Sequence, residues 1–84
     1  MALPQQPITL SVEQIDQLNR NLSKMRHDIN NNLSMIVAAV ELVRVKPELS
    51  ARMMSTVAEQ PARIGEALKK FTADFETAFG ITRP

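Results

Sequence analysis

The chain has 84 residues, with ten Lys+Arg and nine Asp+Glu, which allows one domain at most and indicates no general attraction to nucleic acid or to an anionic membrane. It has no cysteine, so disulfides and thiolate metal sites are excluded. No uncharged apolar run approaches the ~18 residues of a membrane span, and the N-terminus lacks the basic and apolar regions of a signal peptide, so we expect a cytoplasmic protein. Two glycines and the absence of Tyr and Trp are typical of a helical protein.

The first predicted elements are a tail and a helix start. Residues 1–10 contain two prolines and are expected to form an extended tail. Ser11 and Gln14 fit a capping box, in which the serine side chain caps the helix and the glutamine side chain reaches back to the serine backbone. The first helix is therefore predicted to start near Val12.

The turn between the predicted helices contains Pro47. A residue before proline avoids the α region, so the first helix should end at Lys46, and Pro47 suits the first turn of a second helix. Ser50 is an alternative N-cap, which would lengthen the turn to roughly residues 45–50. Gly80 is the expected stop of the second helix, because glycine readily adopts the left-handed conformation that ends helices.

The predicted unit is a helical hairpin over residues 11–79, with residues 80–84 as a C-terminal tail. Apolar residues of the first helix recur with a seven-residue period, like the a and d positions of a coiled coil. Position a is occupied by Ile15, Leu22, Ile29, Ile36 and Val43. Position d is occupied by Leu18, Met25, Asn32 and Ala39. The stripe is widened by Leu33, Val37 and Val40.

The second helix carries apolar residues three or four apart, except for a gap between Val57 and Ile64 that Pro61 fills. They are Leu49, Met53, Val57, Ile64, Leu68, Phe71, Phe75 and Phe79. Two helices alone cannot cover stripes this wide, and a small hairpin buries too little surface to be stable. We therefore predict the all-α class, with an antiparallel hairpin that forms a dimeric four-helix bundle. The alternative is a long monomeric hairpin with an exposed apolar side.

The single histidine, His27, falls at heptad position f, farthest from the seam, and should face solvent. Asn30 and Asn31 lie three and four residues further on and share its face, while Asp28 lies on the flank. Asn32 is at d and should point inward, where a buried polar residue can fix the register of the helices. Taken singly, each of these residues is more typical of ordinary helix surface or seam than of a functional site. The cluster as a whole is more specific.

The segment HDINNNL, which begins at His27, resembles the phosphoacceptor box of sensor histidine kinases. In that family an exposed histidine on the first helix of a dimeric hairpin is followed directly by an acid. Counted from the histidine, Asn or Thr comes four residues later and Leu six residues later. The matching residues are Asp28, Asn31 and Leu33. The box is also similar to a variant group that reads His, three residues, Asn-Asn-Leu. The resemblance covers about residues 11–79 and extends to the two-helix layout, so it identifies a dimerisation and histidine-phosphoacceptor domain.

The resemblance implies that His27 accepts a phosphoryl group, with a phosphohistidine as the product. It implies that Asp28 orients or deprotonates the imidazole, and that Asn31 positions a phosphoryl group or a water. Folding the hairpin about its turn also brings two charged residues of the second helix near the level of His27, although solvated surface is the alternative reading for both. The secondary candidates are thus Asn30, Arg63 and Glu66.

The partners implied are a second copy of the chain, the receiver domain of a response regulator, and a separate histidine-kinase catalytic domain. An ATP-binding domain does not fit in 84 residues and no Gly-rich phosphate loop is present, so the chain is at most a phosphotransferase component that cannot phosphorylate itself from ATP alone. We expect no cofactor, no metal site, no nucleic acid and no membrane among its ligands.

Asn32 marks a departure from the family, most members of which have a proline five residues after the histidine. A proline occurs instead in the second helix, at Pro61, where the lost backbone bond should kink that helix. We predict that the bend has moved to the partner helix, the alternative being a local kink without a role.

Two functions remain open from the sequence. The first is a phosphotransfer module, either a stand-alone intermediary between a kinase and a response regulator or the acceptor domain of a larger kinase. The second is a non-catalytic dimerisation or adaptor bundle that kept the same fold.

Overall fold

The computed structural model describes residues 2–82 and shows two long helices that pack side by side. Helix α1 spans Val12–Val45, a short 3₁₀ turn spans Pro47–Leu49, and helix α2 spans Ser50–Phe79. The all-α helical hairpin predicted from the sequence is confirmed.

The start of α1 has the predicted capping box. Ser11 has extended backbone angles, and its Oγ accepts a hydrogen bond from the backbone N–H of Gln14 at 3.1 Å. In return, Oε1 of Gln14 accepts from the backbone N–H of Ser11 at 2.8 Å. Both orphan donors are satisfied by local side chains, so the helix begins at Val12 as predicted.

The turn between the helices differs from the Ser50 N-cap alternative. The Ser50 hydroxyl donates to the backbone oxygen of Pro47 at 2.6 Å, and the residue at the N-cap of α2 is Leu49, which makes no side-chain capping bond. The fixed φ of proline starts a tight 3₁₀ turn after Lys46, and the proline carbonyl then takes the serine hydroxyl. Ser50 is therefore the first residue of α2 and not its cap.

The end of α2 lies at the predicted glycine. Gly80 has φ 65° and ψ 30°, the left-handed conformation that side chains with a Cβ disfavour. The backbone N–H of Ile81 donates to the carbonyl of Glu76 at 2.9 Å, and that of Gly80 donates to Thr77 at 3.4 Å. These two bonds form a Schellman motif that closes the helix.

The tails were predicted as residues 1–10 and 80–84. Three residues lie outside the described part of the chain: Met1, Arg83 and Pro84. The backbones of Ala2 and Thr82 form an antiparallel bridge, with N···O distances of 2.6 and 2.9 Å. The sequence did not predict this contact, since it joins residues from opposite ends of the chain.

The hairpin is one layer of helices thick. Its extents are 59 × 29 × 11 Å, and its radius of gyration is 18.2 Å, against about 12 Å expected for a compact domain of this length. Within residues 2–82, only Ala39 and Gln60 are buried. No helix in this part of the chain has the length and apolar character needed to cross a membrane.

The register of the hairpin is fixed where Asn21 Nδ2 donates to Asp74 Oδ2 at 3.1 Å. With one exception, the predicted a and d residues of α1 lie half-buried or buried against α2. The exception is Ile15, which is exposed. Ile15 lies six residues before Asn21, so its opposite position is Gly80, six residues after Asp74. Helix α2 ends at Phe79 and therefore does not cover Ile15.

The gap in the apolar pattern of α2 is filled by Gln60 and not by Pro61. Gln60 has no solvent exposure, whereas Pro61 is exposed. The amide Nε2 of Gln60 donates to the carbonyl of Thr56 at 2.8 Å, and its Oε1 has no hydrogen-bond partner among residues 2–82. The sequence reading followed apolar residues only and so missed a buried polar one. Helix α2 is continuous through Pro61, and the bend expected there stays a prediction.

Candidate functional site

The imidazole of His27 lies on the outer surface of α1. Its side chain is 74% exposed, which matches the exposure expected at position f. The residues of α1 most buried against α2 lie on the opposite side of the helix, at positions a and d. The ring is therefore accessible to a reactant from solvent while its backbone is held in the middle of a long helix.

The carboxylate of Asp28 lies between the imidazole and an ammonium group. Its Oδ1 is 3.8 Å from Nδ1 of His27, and its Oδ2 is 3.7 Å from Nζ of Lys24. The Asp28 side chain is 43% exposed, so each contact is worth less than about 1 kcal/mol of stability. The arrangement orients the groups of the site more than it stabilises the fold.

The three consecutive asparagines face different directions, because successive residues on a helix are separated by about 100°. Asn30 and Asn31 are exposed, and Asn32 is half-buried toward α2. Asn31 lies one turn beyond His27. Asn32 points inward, the direction expected for a d position.

An open groove between the helices begins at Asp28 and runs toward the turn. Four predicted site residues line it, two from each helix: Asp28, Asn31, Arg63 and Glu66. His27 and Asn30 do not line it, although Asp28 links His27 to its edge. The guanidinium of Arg63 lies 3.6 Å from the carboxylate of Glu59.

Lys70 is a groove residue that the sequence reasoning missed. It lines this groove and an adjoining one, and Asp28 lines both as well. Folding the predicted hairpin about its turn pointed only to Arg63 and Glu66. The Asn21–Asp74 hydrogen bond shows a slightly different register, which puts Lys70 opposite Met25 and near the level of Asp28.

No group of three or more His, Asp or Glu side chains that could hold a metal ion occurs among residues 2–82. Comparisons of the chain with known protein families, with curated proteins and with solved structures gave no match. What the site can do therefore has to be inferred from its own geometry and from the HDINNNL box.

Proposed function

We propose that the chain is a histidine phosphoacceptor and phosphotransfer module of a two-component signalling system. His27 accepts a phosphoryl group and relays it to, or receives it from, the aspartate of a response-regulator receiver domain. The observation that carries the proposal is the exposed imidazole with a carboxylate oxygen 3.8 Å from its Nδ1, held on a long helix. This placement agrees with what the resemblance of HDINNNL to the phosphoacceptor box implies.

The position of Asp28 favours one ring nitrogen as the nucleophile. A carboxylate beside Nδ1 favours the tautomer that keeps the proton there, which leaves the lone pair on Nε2. Nε2 attacks phosphorus and forms the P–N bond, while the bond to the leaving group breaks and its electron pair departs with that group. The Nδ1 proton then passes toward Asp28 or water.

Phosphoryl transfer depends mainly on alignment and on compensation of negative charge. A rigid helix that presents His27 outward supplies part of the alignment and leaves space for a receiver domain. Asn31, which lies one turn further and lines the groove, is placed to contact the transferred group or a water. The source of the phosphoryl group is a partner, either a phosphorylated receiver domain or a separate kinase catalytic domain.

The proposed module is a dimer, since the single hairpin exposes too much surface. Its accessible surface is 6553 Å², against about 5,000 Å² for a compact monomer of this mass. Burying the difference on each of two copies gives an interface of the size typical of permanent dimers. Two hairpins packed in this way form a four-helix bundle.

The apolar face that would pair lies on one side of the hairpin. Val40 and Met54 line a common apolar groove between the helices. Five further positions on the helices lie within about 60° of one or the other of these residues around the helix axis. The exposed large apolar residues of this face are Ile15, Leu33, Val37, Val40, Met54, Leu68 and Phe75, each 40% to 63% exposed. His27 lies away from this face, so pairing leaves the imidazole free.

The test is phosphoryl labelling with cognate partners. The protein is mixed with a phosphorylated receiver domain, and separately with a histidine-kinase catalytic domain and ATP, and label that is acid-labile and alkali-stable is measured. We expect label on the unmodified protein and none on His27→Gln, with helicity and oligomeric state unchanged. Label that survives in His27→Gln would end the assignment. Absence of label with every cognate partner would favour the adaptor bundle.

A further inference from the structure

Lys70 of α2 and Asp28 of α1 face each other across the space between the helices. Both residues line each of two adjoining grooves, one lying toward the turn and one toward the open end of the hairpin. Asp28 also lies beside the imidazole of His27. A cation from the second helix is thus placed across the groove from the carboxylate that lies beside the imidazole.

Three basic residues line these two grooves, and two of them already have carboxylate partners. Lys24 lies 3.7 Å from Asp28, and Arg63 lies 3.6 Å from Glu59. Lys70 is exposed and makes no ion pair with any residue in the range 2–82. Its ammonium is therefore available to an incoming anion without breaking an existing pair.

The register of the hairpin places Lys70 near the level of His27 along the helix axes. Asn21 of α1 is hydrogen-bonded to Asp74 of α2. Met25 lies one turn after Asn21 and Lys70 one turn before Asp74, so Met25 and Lys70 are opposite each other in the antiparallel hairpin. His27 lies two residues beyond Met25, a rise of about 3 Å along the axis.

The axes of neighbouring helices lie about 8–10 Å apart, so the flexible four-carbon stem of Lys70 extends from α2 toward Asp28. His27 points away from α2, so its phosphoryl group and the Lys70 ammonium approach each other at Asp28, which lies between them.

We propose that Lys70 binds the phosphoryl group carried by His27, an inference that rests on the proposed function. Phosphorylation of the imidazole places an oxyanion group beside Asp28, where the carboxylate repels it. The ammonium of Lys70 offsets both charges as the P–N bond forms and in the phosphorylated product. Because the site is open to solvent, the effect on rate is several-fold and falls with added salt.

The experiment uses the small phosphodonor phosphoramidate on the full chain, so that no partner protein is needed. The imidazole attacks phosphorus, the P–N bond to the donor nitrogen breaks, and the released ammonia takes up the imidazole proton. Mass spectrometry follows the gain of one phosphoryl group with time. The variants are Lys70→Met, Lys70→Arg and the matched control Lys69→Met, since Lys69 is exposed on the side of α2 away from α1.

We expect Lys70→Met to slow labelling of His27 and to shorten the lifetime of the phosphohistidine, each about three- to tenfold. Lys70→Arg restores both, Lys69→Met stays within about twofold of the unmodified protein, and salt slows the Lys70→Met variant less than the unmodified one. Equal rates for Lys70→Met and Lys69→Met, with His27 still labelled, would overturn the role of Lys70 and leave the proposed function standing. No label on the unmodified protein would overturn both.

Discussion

Asn21 donates a hydrogen bond to Asp74 across the hairpin at 3.1 Å, and Oδ1 of the same asparagine accepts one from Gln17 at 2.9 Å. Asn21 and Asp74 are both half-buried. This is the side-chain hydrogen bond that joins α1 to α2 within residues 2–82, and it lies near the open end, far from the turn. A polar link at this position fixes the pairing of two helices whose apolar seam alone would tolerate sliding.

Replacing Asn21 with Ala should destabilise the hairpin by about 1–2 kcal/mol, because it leaves a half-buried carboxylate without its donor. The measurement is urea unfolding at fixed protein concentration, since association shifts apparent stability. Asn30→Ala is the matched control, with the same chemical change at an exposed position of the same helix. An equal loss in both variants would show that the Asn21–Asp74 bond does not stabilise the fold.

Val40→Glu should convert the proposed dimer to monomers, because it places a charge on the apolar face shared with Met54. The matched control is Leu42→Glu. Leu42 is 43% exposed and Val40 is 49% exposed, but two residues along a helix put Leu42 on nearly the opposite side. Sedimentation velocity should show a dimer for the control and a monomer for Val40→Glu. A dimer in both would place the interface elsewhere.

Gln60→Met should stabilise the protein by about 1 kcal/mol. The unbranched side chain keeps the shape of glutamine and adds apolar contact in the seam. It also removes a buried oxygen that has no partner in the described part of the chain. The lost bond to the Thr56 carbonyl costs less, since that oxygen can still accept the helical backbone bond. Thermal unfolding followed by circular dichroism measures the change. A lower melting temperature would mean that Oε1 of Gln60 has a partner in solution.

Asn31→Ala should slow phosphoryl exchange between His27 and a receiver domain about tenfold, equivalent to about 1.4 kcal/mol of barrier. Asn31 lines the groove that starts at Asp28, whereas Asn30 does not, so Asn30→Ala should stay within about twofold. Rapid-quench measurement of label transfer compares the two variants. Similar rates for both would remove Asn31 from the site.

Features set by neighbouring residues could be predicted from the sequence. The capping box of Ser11 and Gln14 and the left-handed Gly80 each depend on a few adjacent residues, and both are confirmed. The sequence left two alternatives for the turn, because the Ser50 hydroxyl could either cap the second helix or bond to a nearby carbonyl. In the structure it donates to the carbonyl of Pro47. The exposure of His27 followed from the seven-residue period of α1 alone.

What the sequence did not predict depends on how the two helices meet. The burial of Gln60 and the position of Lys70 across the groove from Asp28 depend on the register that Asn21 and Asp74 set. A polar residue in an apolar seam is also invisible to a search for apolar periodicity. The sequence located an exposed imidazole at His27, while the structure shows which residues of the second helix lie near it.

The 11 Å thickness of the hairpin means that its two broad sides share the same pair of helices. A ligand that enters the charged groove and separates the two helices also changes the shape of the exposed apolar face. A second copy of the chain bound to that face changes the groove in return. Because such coupling is reciprocal, binding of a ligand in the groove changes the affinity of the apolar face for a second copy, and binding of that copy changes the affinity of the groove for its ligand. In a hairpin this thin, the two faces can be coupled through the two helices alone.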